Sequence, residues 1–537
     1  MRGIVTCPQP VAGEVGAQIL EAGGNAFDAG LATAFTQWVS DPFMCGPGGF
    51  GIGQIWDNQS KKLTVVDFAT QAGAKVQPDM WAKDKYTRSE VSSIFTFDDL
   101  RNEIGHQSVM IPTSLAGFAE IHKRFCSMPW KELLAPAIAQ AKLGTKVNTA
   151  LETFYQKPMP GTTITGEERV LATAACTKAF LKPDKSLYYV GDTIPLNDLS
   201  NTLDIIANKG VDEFYRGDIA RAIAQDMESN NGFVTLKDLQ SYKPKIAEPL
   251  WGSYHGTKIA AVPAPNTGMT VLQLLALVEP FNLGSMDHNS PEYLHIITSA
   301  MSLAHKDRLE YNGDPDFVQV PVREVVLDPA RISQQQDQIR KGIMTSGRNA
   351  FEKGDTTHVN VLDKQGNIFC VTHTLGWASG VVTPGLGFVF NNGMNLADPA
   401  PGKLNSIAPG KARGTNMVPT LICDSKGTPV TAVGAPGGAV IVSAVFQAIV
   451  NLLDFNMTPT EAVSASRIHC EGGKVFLEAG IRTDYTNQLE QYGHVTSKEP
   501  LALHPMMARV QIAENIEGTI RGGSDPRAGG GSVTKAY

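Results

Sequence analysis

Apolar residues recur at helical spacing from Val11 to Ala22, and the pattern stops at Gly23-Gly24, a pair suited to ending a helix. A second helix is predicted over Ala26 to Val39, preceded by an apolar strand at residues 2–7. Beyond Gly46-Pro47-Gly48-Gly49-Phe50-Gly51 the period changes to two. Gly51 to Trp56, the turn Asp57-Asn58-Gln59 and Leu63 to Phe68 read as a hairpin. The glycine run precedes a strand and not a helix, so it lacks the geometry of a phosphate loop and is read as a structural turn. Residues 115–310 are richer in helix, with segments over Leu115 to Phe125, Trp130 to Leu143, Leu203 to Lys209, Gly217 to Ser229 and Val271 to Leu277. A long amphipathic helix spans 292–311 and stops at Asn312-Gly313-Asp314-Pro315.

The segment Gln334 to Lys353 is polar and charged, reads as an exposed connection, and divides the chain. After it, strands alternate: Thr357 to Leu362, the turn Lys364-Gln365-Gly366-Asn367, then Ile368 to Thr374. Further hairpins are expected from Met417 to Asp424 with Pro429 to Val433, and near Lys474 to Phe476. A helix follows the glycines at 437–438. Two sheets with helices outside accommodate this order. No internal repeat or heptad run is present.

Composition narrows the function classes. With 42% hydrophobic and 18% charged residues over 537 positions, the chain is globular in composition. Its net charge of −7 argues against nucleic acid as a main partner, because phosphate binding wants a basic face. The apolar stretch Gly438 to Phe455 contains Gln447, Asn451 and Asp454 and reads as a core helix, not a membrane span. No signal-like apolar region follows Met1-Arg2, and none of the seven cysteines has CxxC spacing, so a cytoplasmic protein with reduced thiols is expected.

Standard catalytic motifs are missing: no HExxH, no GxxxxGK[ST], no GxSxG. The eleven histidines show no zinc-like spacing, so no metal and no cofactor is expected. His358 and His373 lie on facing strands of one hairpin, where contact between them is read as packing. Cys370, in the same hairpin, is read as a buried spectator thiol.

The segment Gly354-Asp355-Thr356-Thr357-His358 puts a hydroxyl at the start of a strand, just after the polar connection. A threonine there becomes a self-sufficient nucleophile if the bond before it is cut, because its own α-amine then serves as general base. By itself the pair Thr356-Thr357 reads as a device for extended backbone. A second feature is the strand Pro429 to Val433 running into Gly434-Ala435-Pro436-Gly437-Gly438 and then a helix. A glycine turn opening a helix offers backbone N–H groups suited to an oxyanion. Together they point to acyl transfer.

The chain resembles the gamma-glutamyltransferase family of N-terminal nucleophile hydrolases along its whole length. The resemblance is carried by Glu21-Ala22-Gly23-Gly24-Asn25-Ala26-Phe27-Asp28-Ala29, Gly46-Pro47-Gly48-Gly49, Ser114-Leu115-Ala116-Gly117-Phe118, Pro129-Trp130 through Pro136-Ala137-Ile138, and Asp307-Arg308 with Gly313-Asp314-Pro315. The reactive segment, the 434–438 glycine loop and the tail Gly523-Ser524-Asp525-Pro526-Arg527 complete it. The resemblance implies an α/β fold, a four-layer αββα sandwich. It implies a precursor that cleaves itself between Asp355 and Thr356 into a large subunit (1–355) and a small subunit (356–537). The two would form one structural unit as a heterodimer, with a dimer of heterodimers left open. It further implies Thr356 as nucleophile, Thr374 as its supporting hydroxyl, Gly437 and Gly438 as the oxyanion pair, and Thr415-Asn416 in place of the serine pair that holds a donor carboxylate. Asn392 and Gly376 fall at substrate-binding positions.

Three positions depart from the family. Pro78 stands before Asp79-Met80 where an arginine clamps the donor carboxylate. Gly376 stands where an asparagine follows the second threonine. Leu396 stands where an acidic residue takes the α-amine. A bidentate charge partner is not replaced by a neutral residue. An amidase or acylase acting on a small acyl or dicarboxylic monoamide is therefore expected, with Arg413 a candidate contact for a different carboxylate. The alternatives are a gamma-glutamyl hydrolase or transpeptidase with a rearranged clamp, and a non-catalytic binding protein on the same fold.

Overall fold

The computed structural model describes residues 1–89, 94–156, 164–343, 347–349, 355–527 and 532–537. Two antiparallel sheets stack face to face. The seven-stranded sheet runs Ser532–Ala536, Gly3–Cys7, Asp355–Asp363, Ile368–Gly376, Phe50–Asp57, Lys62–Phe68, Lys245–Ala247. The six-stranded sheet runs Thr519–Ser524, Gln511–Ile516, Pro429–Gly434, Thr420–Cys423, Thr257–Ala261, Leu250–Tyr254. Between them lies a small apolar layer that includes Ile4, Leu63, Ala260, Leu362, Ile368, Leu421 and Ala432. Gln54 bridges the sheets, its amide donating to the carbonyls of Ala260 and Pro419 at 3.0 and 2.7 Å.

Helices close both outer faces, which gives the αββα order. Pro10–Glu21, Ala26–Ser40 and Ser114–Phe125 cover the first sheet, and Gly268–Val278 and Val440–Leu453 cover the second. The Gly23 to Asp28 motif has a local reason. Gly23 takes a φ of +100°, and the Asn25 side chain accepts from the amides of Phe27 and Asp28 in a capping box. One oxygen of Asp28 accepts from the Asn25 amide and the other from the amides of Ser127 and Met128, so one carboxylate starts one helix and anchors the entry to the helix Trp130–Leu143.

Most predicted helices are present: Asp218–Ser229, Gly268–Val278 and Pro291–Tyr311 agree within a few residues, and Asn197–Lys209 starts six residues before the expected Leu203. The connection at 334–353 is a correction. Its first part completes a helix, Pro329–Arg340, which buries Ile332, Gln335 and Ile339. Asp328 caps that helix and Pro329 opens it. Residues 344–346 and 350–354 lie outside the described residues. The short hairpin expected near 474–476 is part of a three-stranded sheet of Ile468–His469, Val475–Leu477 and Thr496–Lys498.

Candidate active site

The hairpin Asp355–Asp363 and Ile368–Gly376 fixes the site by its register. Leu362 faces Ile368, His358 faces Thr372 and Thr357 faces His373. The same register carried one residue further sets Thr356 across from Thr374. Beyond that pair the register slips, so that Asp355 faces Gly376. Such a bulge re-aims side chains and is common beside active sites. The Thr356 hydroxyl donates to the Thr374 hydroxyl at 3.1 Å, and that oxygen also accepts from the Gly376 amide at 2.8 Å.

Alternation then separates two faces. Thr357 and His373 point to the helical layer. Gln37 donates to the Thr357 hydroxyl at 2.9 Å and its carbonyl oxygen meets His373 Nε2 at 2.9 Å. His358 points to the other sheet, between the Thr372 hydroxyl and the Asn360 carbonyl oxygen, each at 2.8 Å. The two histidines therefore do not touch, contrary to the expectation of a packed pair. Burial pushes both imidazoles down, to about 4 for His358 and about 3 for His373, so both are neutral at physiological pH. Cys370 lies in the layer between the sheets, 4.0 Å from His358 Nε2, and burial raises its thiol. Among the described residues no group of three or more His, Cys, Asp or Glu is placed to hold a metal ion.

Thr356 lies at the end of the inter-sheet face, and the second sheet delivers the glycine loop to the same end. Gly437 and Gly438 have φ of +145° and +64°, conformations that suit glycine, and the helix Val440–Leu453 starts just after them. A Cβ on Gly437 would stand 2.6 Å from the Cβ of Ala508. One pocket is lined by Thr356, Thr374, Gly376, Gly438, Arg413, Thr415 and Asn416, together with Phe50, Trp377, Met417 and Ile441. Seven of the residues singled out from sequence thus converge. Gly437 is adjacent in the loop but is not part of this lining.

Asn392 sits one shell behind. Its carbonyl oxygen accepts from the Trp377 amide at 2.8 Å and its amide donates to the Glu103 carbonyl at 3.2 Å. Glu103 in turn pairs with the buried Arg169 at 3.1 Å. This network shapes the 376–378 turn. Pro78 is exposed and lies outside the pocket lining. Leu396 lines two neighbouring cavities, one shared with Arg413 and the other with Thr415 and Asn416.

At Gly376 the φ is +76°. A Cβ there would stand 2.6 Å from Asn392 Oδ1 and 2.8 Å from Arg413 Nη1. The missing side chain is the space the guanidinium uses. Arg413 also packs over the Phe50 ring at 5.3 Å.

Thr415 and Asn416 are held from beneath. The Thr415 hydroxyl donates to Asn266 Oδ1 at 2.6 Å. Arg308 donates to Asn416 Oδ1 and, at 3.1 Å, to Glu471. Burial raises Glu471, but Arg308, His305, Arg348 and His469 around it outweigh that and hold its carboxyl well below the usual range. Arg308 belongs to a motif noted in the sequence, whereas Glu471 and Arg348 carry no motif that marks them.

Comparison with known proteins gives the family. A sequence model of the gamma-glutamyltranspeptidase family matches residues 12–534. The chain is 34% identical to the acylase ACY 1 proenzyme of Pseudomonas sp. (strain V22), over 99% of this chain and 93% of that protein. It is 30% identical to the glutathione hydrolase proenzyme of Bacillus subtilis (strain 168), over 99% and 91%. Among solved structures, the cephalosporin acylase from Bacillus halodurans superposes with a TM-score of 0.88 at 25% identity, covering 100% of this chain and 96% of that one. The chain belongs to the gamma-glutamyltranspeptidase family, as an amidohydrolase of the N-terminal nucleophile fold.

Proposed function

We propose that the protein is an acylase whose nucleophile is Thr356, acting on amides of small acyl groups that end in a carboxylate and lack an α-amino acid head. Cleavage between Asp355 and Thr356 frees the α-amine. That amine takes the proton of the Thr356 hydroxyl as its oxygen attacks the substrate carbonyl. The oxyanion is held by the amides of Gly437 and Gly438 at the helix N-terminus. The proton passes to the departing amine, an acyl ester remains on Thr356, and water releases the acid. The Thr374 hydroxyl orients the nucleophile through the 3.1 Å contact.

The observation that carries the substrate reading is the pairing of Arg413 with the empty side-chain position at Gly376 in the pocket of Thr356. A guanidinium there is a fixed fork for a carboxylate. The relatives named as acylases support the same reading.

Two variants test it. Arg413→Gln is expected to lower kcat/KM for glutaryl-anilide by about 100-fold, the effect of removing one partner of a hydrogen-bonded charge pair. Butyryl-anilide, which has no second carboxylate, should change by only a few-fold. Equal losses on both compounds would make Arg413 a structural residue. Gly376→Asn keeps a residue type that tolerates positive φ but places its Cβ against Arg413. It is expected to reproduce the Arg413→Gln pattern, with about a tenfold or greater loss on the glutaryl compound. Unchanged discrimination in Gly376→Asn would show that the guanidinium does not need this space.

A further inference from the structure

We propose that Arg509 is a positioning residue for the nucleophile and that its charge keeps the freed α-amine of Thr356 in the neutral, base-competent form. Its guanidinium donates to the Thr356 carbonyl oxygen at 3.3 Å. Its own backbone amide donates to the Pro436 carbonyl at 3.0 Å, in the loop that precedes Gly437. One residue thus ties the nucleophile to the oxyanion loop. The preceding residue, Ala508, has a φ of +63° and packs against the Cα of Gly437.

The mount is rigid. The next residue, Val510, exchanges hydrogen bonds with Asp525: its amide donates to the carboxylate at 3.0 Å and its carbonyl accepts from the Asp525 amide at 3.0 Å. Asp525 is fully buried and paired with Arg467 at 2.6 Å and Arg527 at 3.0 Å. The tail motif therefore acts at a distance by fixing the segment that carries Arg509, just before the strand Gln511–Ile516.

Covalent geometry sets how closely the charge approaches the amine. A cation bonded to the carbonyl oxygen of Thr356 lies within about 7 Å of that residue's own nitrogen. A positive charge there disfavours the ammonium, so the α-amine loses its proton at lower pH than its usual ~7.7–8.0. Among the described residues, the other groups facing this corner include Asp41 and Cys45 after the Ala26–Ser40 helix, Arg413 across the pocket, and the two histidines of the hairpin. Asp41 is a hydrogen-bond acceptor for Gln9 at 2.9 Å and opposes the effect. Cys45 is pushed well up by burial and by Asp41, though Arg509 lowers it, so it stays a neutral thiol. Both histidines are neutral, and Arg413 adds to the effect.

The proposal rests on Thr356 being the nucleophile, and it is tested separately through the acid limb of the pH profile. kcat/KM is measured against pH for wild type, Arg509→Gln and Arg509→Lys, all in processed form, with whichever of glutaryl-anilide and gamma-glutamyl-anilide the wild type hydrolyses faster. Arg509→Gln keeps an N–H donor and removes the charge, so its acid limb should move up by about one pH unit. Arg509→Lys keeps the charge, so its limb should stay within a few tenths of wild type while kcat falls with the lost guanidinium geometry. An unmoved limb in Arg509→Gln, or an equal displacement in Arg509→Lys, overturns the proposal. If Arg509→Gln remains uncleaved, the Lys variant decides alone: a displaced limb refutes the role of charge. Activity surviving in Thr356→Ala would instead refute the nucleophile assignment on which the proposal rests.

Discussion

Thr356→Ala is expected to remain one chain of 57.6 kDa, while the wild type resolves into pieces of 355 and 182 residues by intact mass. Amide hydrolysis should fall by about 10³–10⁶-fold, the range seen when a nucleophile is removed. In the proposed cleavage the attacking hydroxyl belongs to the residue after the scissile bond, Thr356, which is 5% exposed and stands opposite Thr374, where a bulge presents it to the pocket. No second protein is expected to be needed. Thr356→Ser, which keeps the hydroxyl, should still divide. A Thr356→Ala chain that splits at the same bond would show that another group performs the cleavage.

The site was legible in the sequence where chemistry and short-range register coincide. The turn Lys364 to Asn367 fixes Leu362 opposite Ile368, and counting back along both strands sets Thr356 opposite Thr374. The same count sets His358 opposite Thr372 and not His373, which is why the two histidines diverge to opposite faces. The glycine loop announced its own conformation, since Gly437 and Gly438 both adopt positive φ.

What was not legible depends on long-range contacts. The strands Leu250–Tyr254, Thr257–Ala261, Gln511–Ile516 and Thr519–Ser524 mix polar residues and glycine into short runs. They become strands because a partner sheet face awaits them. Ser532–Ala536 pairs with Gly3–Cys7 from the opposite end of the chain. The capped helix Pro329–Arg340 was hidden by its polar surface, though Asp328 and Pro329 marked its start. Arg509 lies 153 residues from Thr356, and no periodicity connects them. The role of Gly376 was visible as a loss. Only the structure shows that the loss makes room for Arg413.

The departure at Leu396 bears on the same question, since it lines a cavity shared with Arg413 and another shared with Asn416. An ammonium brought beside Leu396 meets apolar surface and, in the cavity shared with Arg413, a guanidinium, whereas Asp398 lines the cavity shared with Asn416. An unmatched charge in such a place costs about 1–3 kcal/mol or more. A des-amino acyl group avoids that cost and retains the distal carboxylate for Arg413. The glutathione hydrolases of the family remain the contrasting case, because their name specifies a gamma-glutamyl substrate.

The direct test is the ratio of kcat/KM for glutaryl-anilide to that for gamma-glutamyl-anilide on the processed enzyme. The two compounds differ only at the α-amino acid head, so the ratio isolates what the pocket does there. A preference for the glutaryl compound of about 100-fold is expected. A preference of tenfold or more for the gamma-glutamyl compound would contradict it and would mean that another residue holds the ammonium.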